Sequence, residues 1–139
     1  MPFSTPLSMP RSRALTVALT AAAAAASLLT GAGAAHADAD VPYSQAAAQV
    51  NASGSIAKKT ATVVAVQRVA TGKYCIEVDP TIDVAESMPM ATLQERANWG
   101  SEIYVTRSGS GCPNPANSVR VITGRNGAAS NQPFHVVIP

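Results

Sequence analysis

His135 is the one histidine beyond residue 37, so hydrolytic chemistry in that part of the chain would have to be built on it. A triad needs a carboxylate to orient the imidazole and a nucleophile beside it. No G-x-S-x-G elbow is present, and Gly109-Ser110-Gly111 is too short to be one. His135 therefore reads as a strand histidine on the less buried face next to Phe134. Glu77, Asp79, Asp83 and Glu86 fall close together, and Glu77 and Asp79 would share one face of a strand with Asp83 nearby. Calcium takes six to eight oxygens from such segments, which makes Glu77, Asp79 and Asp83 the metal candidates. Their spacing is not that of a D-x-[DN]-x-[DN]-G loop, and a solvated acidic edge explains them as well. The same carboxylates could act as a glycosidase pair only across a sugar cleft, for which about a hundred residues leave little room. Trp99 and Tyr104, if exposed, offer stacking surface for a sugar or a protein partner; Tyr74 and Phe134 read as core. Nucleophile, base and metal do not assemble from this inventory. No enzyme activity and no cofactor is expected.

Cys75 and Cys112 are the two remaining reactive side chains. Their redox state depends on where the protein resides, and the N-terminus speaks to that. Arg11 and Arg13 precede an apolar run from Ala14 to Leu29; Thr30-Gly31 breaks it, and Ala35-His36-Ala37 matches a small-residue cleavage site. This is the order of a secretory signal peptide. The run is short for a membrane span, no cysteine stands at the site for lipid attachment, and Arg11-Ser12-Arg13 is not a twin-arginine pair. The expected product is a secreted chain from Asp38 to Pro139. In an exported protein two cysteines read as one disulfide, Cys75–Cys112.

Cleavage removes Arg11 and Arg13, so ten Lys and Arg become eight and balance eight Asp and Glu. That excludes the basic footprint of a nucleic-acid binder and a polybasic membrane patch. The mature residues hold thirteen Val and six Ile but one Leu, Leu93. β-branched side chains suit a pleated surface, whereas a helical domain would carry many leucines. The expected fold is all-β: a small antiparallel sandwich or open barrel with one disulfide, following a helical signal peptide.

Along the chain, residues 38–57 read as a flexible lead-in, with a helical turn or two over Ser44–Val50, and residues 58–139 as a single β domain. Thr60–Val69 and Lys73–Val78 predict a hairpin around Ala70-Thr71-Gly72. Tyr74, Ile76 and Val78 share one face, and Cys75 lies on the other, where a loop or second sheet must bring Cys112. Asp79-Pro80 ends that strand. Further strands are expected at Met90–Leu93, Ser101–Arg107, Ser118–Thr123 and Phe134–Ile138, with a turn at Asn126-Gly127 and a loop at Ser108–Asn117.

Ala70-Thr71-Gly72-Lys73-Tyr74-Cys75-Ile76-Glu77-Val78-Asp79-Pro80 resembles a T-G-x-Y-C-V-x-L-D-P segment, with Val78 where Leu is expected. Pro133-Phe134-His135-Val136-Val137-Ile138-Pro139 resembles a terminal F-x-x-V-V-P strand. Together they resemble small secreted actinobacterial proteins of uncharacterised role, over roughly residues 54–139. The resemblance implies secretion and a β fold and carries no catalytic residues. The functional expectation is a secreted, non-catalytic binding or structural surface protein with a protein or cell-envelope partner. It would bind neither nucleic acid nor, after cleavage, a membrane. The alternative is a peptidase inhibitor presenting Ser108–Asn117 as a loop stiffened by Cys112.

Overall fold

The structure is a computed structural model that describes residues 37–139. The expected leader lies outside the described residues up to His36. Its final residue, Ala37, opens the first strand, β1 (Ala37–Asp38). The strands that follow are β2 (Ala46–Val50), β3 (Ile56–Lys59), β4 (Val63–Ala70), β5 (Lys73–Val78) and β6 (Met90–Leu93). Then come β7 (Ser101–Thr106), β8 (Ser118–Arg125), β9 (Ala128–Ala129) and β10 (Phe134–Ile138). A single 3₁₀ turn at Pro115–Asn117 is the one helical element among the described residues.

Two sheets result. Sheet A runs β1-β3-β2-β10-β6 and sheet B runs β4-β5-β8-β7, with β9 hydrogen-bonded to β8. All pairings are antiparallel except β1 with β3. Alternation assigns the inner faces. Sheet A contributes Ala46, Ala48 and Val50 from β2 and Phe134, Val136 and Ile138 from β10. Sheet B contributes Tyr74, Ile76 and Val78 from β5 and Val119 and Val121 from β8. Ile82 and Val84, from the connection after β5, join this core. Aligned β-branched rows stacked across two sheets make the core of a β-sandwich, so the all-β architecture and the bridge both follow the expected pattern.

The lead-in is the correction. Residues 38–57 are not a flexible approach to the domain: β1, β2 and the first part of β3 belong to sheet A. A boundary at residue 58 would cut β3 in two. Ser44–Val50 is not helical either. Ala46 to Val50 pairs with β10 on one side and with β3 on the other. Alanine favours a helix in isolation, but here tertiary pairing decides. The small side chains of Ala46 and Ala48 leave space for the large ones of β5 and β10. Asn51–Ser55 is a closed turn, with the Asn51 amide donating to the Ser55 carbonyl at 2.9 Å and the Gly54 amide to the Asn51 carbonyl at 2.8 Å.

The β4–β5 hairpin matches its prediction, although β4 starts at Val63 because Thr60 and Thr62 are engaged with β2. The Thr60 amide donates to the Ala47 carbonyl at 2.9 Å. Gly72 makes the tip possible. Its φ is +66°, and a Cβ there would lie 2.2 Å from the Thr123 carbonyl oxygen, closer than any side chain tolerates.

Tyr74 is fully buried, yet its hydroxyl donates to the Ala52 carbonyl at 2.8 Å, which ties β5 to the Asn51–Ser55 turn. Burial pushes the phenol above its ordinary value. A raised folded pKa means the native state keeps the proton while the unfolded chain, near pH 10, gives it up. Stability from this group is therefore complete below pH 10 and is lost as pH rises beyond it. Urea midpoints measured between pH 8 and pH 11 should fall at the alkaline end, and Tyr74→Phe should flatten that fall. An equally steep decline in the Tyr74→Phe protein would assign it to other groups.

Candidate functional site

The two cysteines meet as expected. Cys75 Sγ and Cys112 Sγ are 2.02 Å apart, and both residues are buried. Cys75 stands on the outer face of sheet B, and the segment that covers it is the Ser108–Asn117 loop. Two further contacts hold that loop down. Arg120, opposite Cys75 in the β5–β8 register, donates from Nη1 to the Ser110 carbonyl at 2.7 Å. Asn114 donates from Nδ2 to Glu77 Oε1 at 2.9 Å. The loop thus lies against the sheet at three points, and Gly109 within it is buried.

These contacts also settle where the acidic candidates stand. Glu77 faces Asn114. Asp79 Oδ1 accepts from the Thr81 amide at 2.9 Å and from the Thr81 hydroxyl at 2.6 Å. The Thr81 hydroxyl holds the Asp79 carboxyl below its usual value. Asp83 Oδ1 caps the next turn through the amides of Ala85 and Glu86, at 3.0 and 3.2 Å. Each carboxylate serves its own loop. Among the described residues no three of His, Cys, Asp and Glu gather in metal-binding range. Glu77, Asp79 and Asp83 are therefore loop-forming groups and do not converge on a calcium site. His135 is exposed on the outer face of sheet A, in register with Gln49 of β2 and Thr92 of β6.

Trp99 and Tyr104 are both on the surface but not together. Tyr104 is 61% exposed on the outer face of β7. Trp99 is 96% exposed in the loop between β6 and β7, at the end of the sandwich where β6 stops and β7 begins. That loop is fixed. The Gln94 amide donates to the Pro133 carbonyl at 3.0 Å, the Ala97 amide to the Gln94 carbonyl at 2.9 Å, and the Ser101 amide to the Asn98 carbonyl at 3.2 Å. The Asn126 amide donates to the Gly100 carbonyl at 3.0 Å, so the Asn126-Gly127 turn braces Trp99 from the next hairpin. Gly100 has φ +76°, and a Cβ there would sit 2.5 Å from Asn126 Oδ1.

Under this loop lies a cluster that composition did not single out, made of planar amides. Gln94 Nε2 donates to the carbonyls of Val50 and Phe134, both at 3.0 Å, and so fastens β2 to β10 at their upper ends. Its Oε1 accepts from Gln49 Nε2 at 3.4 Å and from Arg96 Nη2 at 3.2 Å. Gln132, fully buried, accepts at Oε1 from the Asn98 amide at 3.2 Å. Asn131 Oδ1 accepts from the Gly72 amide at 2.7 Å. The residues come from β2, the β6–β7 loop and the segment before β10, separated by up to some eighty positions, so only the fold assembles them. Asn51, Arg96, Asn98 and Asn131 edge a recess of about 260 Å³. It adjoins a cleft of about 460 Å³ that includes Trp99, and Asn98 lines both.

A second surface lies at the opposite end, where the edges of the two sheets meet along β6 and β7. Met88, Met90, Val105, Arg107 and Pro139 line a groove of about 470 Å³ there. Arg107 Nη1 donates to the Ala85 carbonyl at 2.6 Å. Methionine is the adaptable apolar lining of such grooves.

These features define a disulfide-braced β-sandwich that presents one exposed tryptophan, on a hydrogen-bonded loop, beside a polar recess. No protein-family model, curated protein or solved structure matches the chain. No helix among the described residues is long and apolar enough to cross a membrane.

Proposed function

We propose that the mature chain is a secreted, non-catalytic binding protein of the cell envelope or its surroundings, and that the Trp99 end of the sandwich is its contact surface. The observation that carries this is the placing of the chain's one tryptophan, almost wholly in solvent, on a loop held by backbone hydrogen bonds from three directions. A large aromatic group left in water on a backbone that is already ordered is suited to contact, because little loop entropy remains to oppose binding. The buried Cys75–Cys112 bridge in so small a β domain is compatible with export, as is the leader-like N-terminus. His135 stands across the strands from an amide and a hydroxyl, those of Gln49 and Thr92, which is in keeping with a strand histidine and the non-catalytic reading. The resemblance to small exported actinobacterial proteins points the same way.

The inhibitor reading has less support. A protease cleft takes a peptide in extended backbone, whereas this loop turns back on itself: the Cys112 amide donates to the Gly109 carbonyl at 2.8 Å, and Pro115–Asn117 closes into a 3₁₀ turn.

The test uses the secreted product. Its N-terminus should be Asp38, and it should co-sediment with envelope fragments of the producing cells. Trp99→Ala should reduce the bound fraction roughly tenfold, the range of a central aromatic contact. Equal sedimentation of the two proteins would remove Trp99 from the contact surface.

A further inference from the structure

We infer that the Trp99 end takes a neutral oligosaccharide, with one sugar ring lying on the indole and its neighbour's hydroxyls in the amide recess; this rests on the binding reading above and specifies its ligand. Three features of the surface select that chemistry.

The first is the pairing of one flat apolar plate with a strongly polar surround. A stable protein interface is built around a desolvated core of several clustered anchor residues. Trp99 instead stands alone, next to Asn98 and the polar recess, while the exposed methionines lie at the other end of the molecule. A pyranose has this same division, with C–H groups on its faces and hydroxyls at its rim.

The second is the type of polar group. Each carboxamide holds a donor and an acceptor side by side, and each sugar hydroxyl both donates and accepts. The fold commits one half of two of these amides to itself and leaves the other half. Asn98 Nδ2 and Asn131 Oδ1 are engaged with Gln132 and Gly72. Asn98 Oδ1 and Asn131 Nδ2 make no hydrogen bond among the described residues, so the recess offers one acceptor and one donor. Arg96 adds further donors beyond its bonds to Asn51 and Gln94.

The third is charge. Arg96 has Glu95 beside it in sequence, and Glu102 is already bound to the Gly127 amide at 2.8 Å. Charges of both signs stand around the cleft, which gives no field to draw in an anionic polymer. The ligand is therefore neutral.

Trp99 is the only tryptophan in the chain, so its emission reports the site without interference. Cellohexaose, chitohexaose, laminarihexaose and mannohexaose are to be titrated into the mature protein. At least one should give a saturable blue shift. By isothermal titration calorimetry, Asn98→Ala should weaken that ligand about tenfold, the loss of one well-placed hydrogen bond. Trp99→Ala should weaken it tenfold or more, and Trp99→Tyr should retain most of the affinity. Both positions are exposed, so circular dichroism of the variants should match the parent. A sugar that binds all variants equally overturns the assignment of the site. If envelope fragments shift Trp99 emission while none of the four sugars does, the oligosaccharide inference fails and the binding reading stands. If neither shifts it, both fail.

Discussion

Replacing both cysteines, as Cys75→Ala with Cys112→Ala, should lower the stability of the domain by about 4 kcal/mol, the chain-entropy value for a closed loop of this length. The bridge spans a sequence separation of 37 residues and includes β6, β7 and the loops around them. Without it the unfolded chain regains the freedom of that entire segment. The native state loses less, since the loop keeps the Arg120–Ser110 and Asn114–Glu77 hydrogen bonds. Each of these is worth on the order of 1 kcal/mol, too little to hold ten loop residues against their own entropy. Two effects should therefore be separable. Amides of Ser108–Asn117 should exchange faster with solvent under conditions where the strands remain protected. Globally, the melting temperature should drop by roughly 15–25 °C, as expected for a domain of about a hundred residues. Both sulfurs are buried in the fold, so a reductant should act on the intact protein no faster than the domain opens. A double variant that melts within a few degrees of the parent would show that the loop is held by its hydrogen bonds and that the bridge is incidental.

How much of this was legible in the sequence depends on how local each signal is. The β5 strand was readable because Tyr74, Ile76 and Val78 alternate with Lys73, Cys75 and Glu77, and alternation is a property of a few neighbouring residues. The Asn126-Gly127 turn was readable because left-handed φ, here 52° and 77°, has few residue solutions. β2 was not readable. An alanine run carries no side-chain signal for a strand, and its assignment comes from partners almost ninety residues away on β10. The same distance hid the candidate site. Trp99 could be noticed alone, but Gln94, Asn98, Asn131 and Gln132 are ordinary loop residues until the fold stacks their segments. The carboxylates show the reverse case. Glu77, Asp79 and Asp83 look grouped in sequence, but Asp79 and Asp83 each accept from their own following turn, and Glu77 accepts from Asn114, 37 positions away. Closeness along the chain made these three the metal candidates beside the reading of a solvated acidic edge, and two of them are engaged in local capping.

The largest single-residue effect is expected at Phe134, where truncation to Ala should cost about 3–5 kcal/mol. Phe134 opens β10 with Val50 on one side and Leu93 on the other, and it is fully buried. Its ring centroid lies 5.0 Å from that of Tyr74, with the planes at 65°, an edge-to-face arrangement that links the two sheets. Tyr74 and Phe134 are the buried members of only five aromatics after residue 37. Beyond Val50, the inward positions of β2 are Ala48 and Ala46, which cannot extend into a void. Val50, Val119 and Val121 are β-branched and hold a fixed χ1. A cavity at Phe134 should therefore persist, which is the condition under which truncation is most costly. Phe134→Leu keeps most of the volume and should cost far less, roughly 1–1.5 kcal/mol, which keeps the comparison measurable should the alanine variant fail to fold. Urea unfolding of the three proteins decides the matter. If Phe134→Ala and Phe134→Leu differ by less than about 1 kcal/mol, the surrounding core has collapsed onto the site, and the valine-lined interior is softer than its β-branched composition implies.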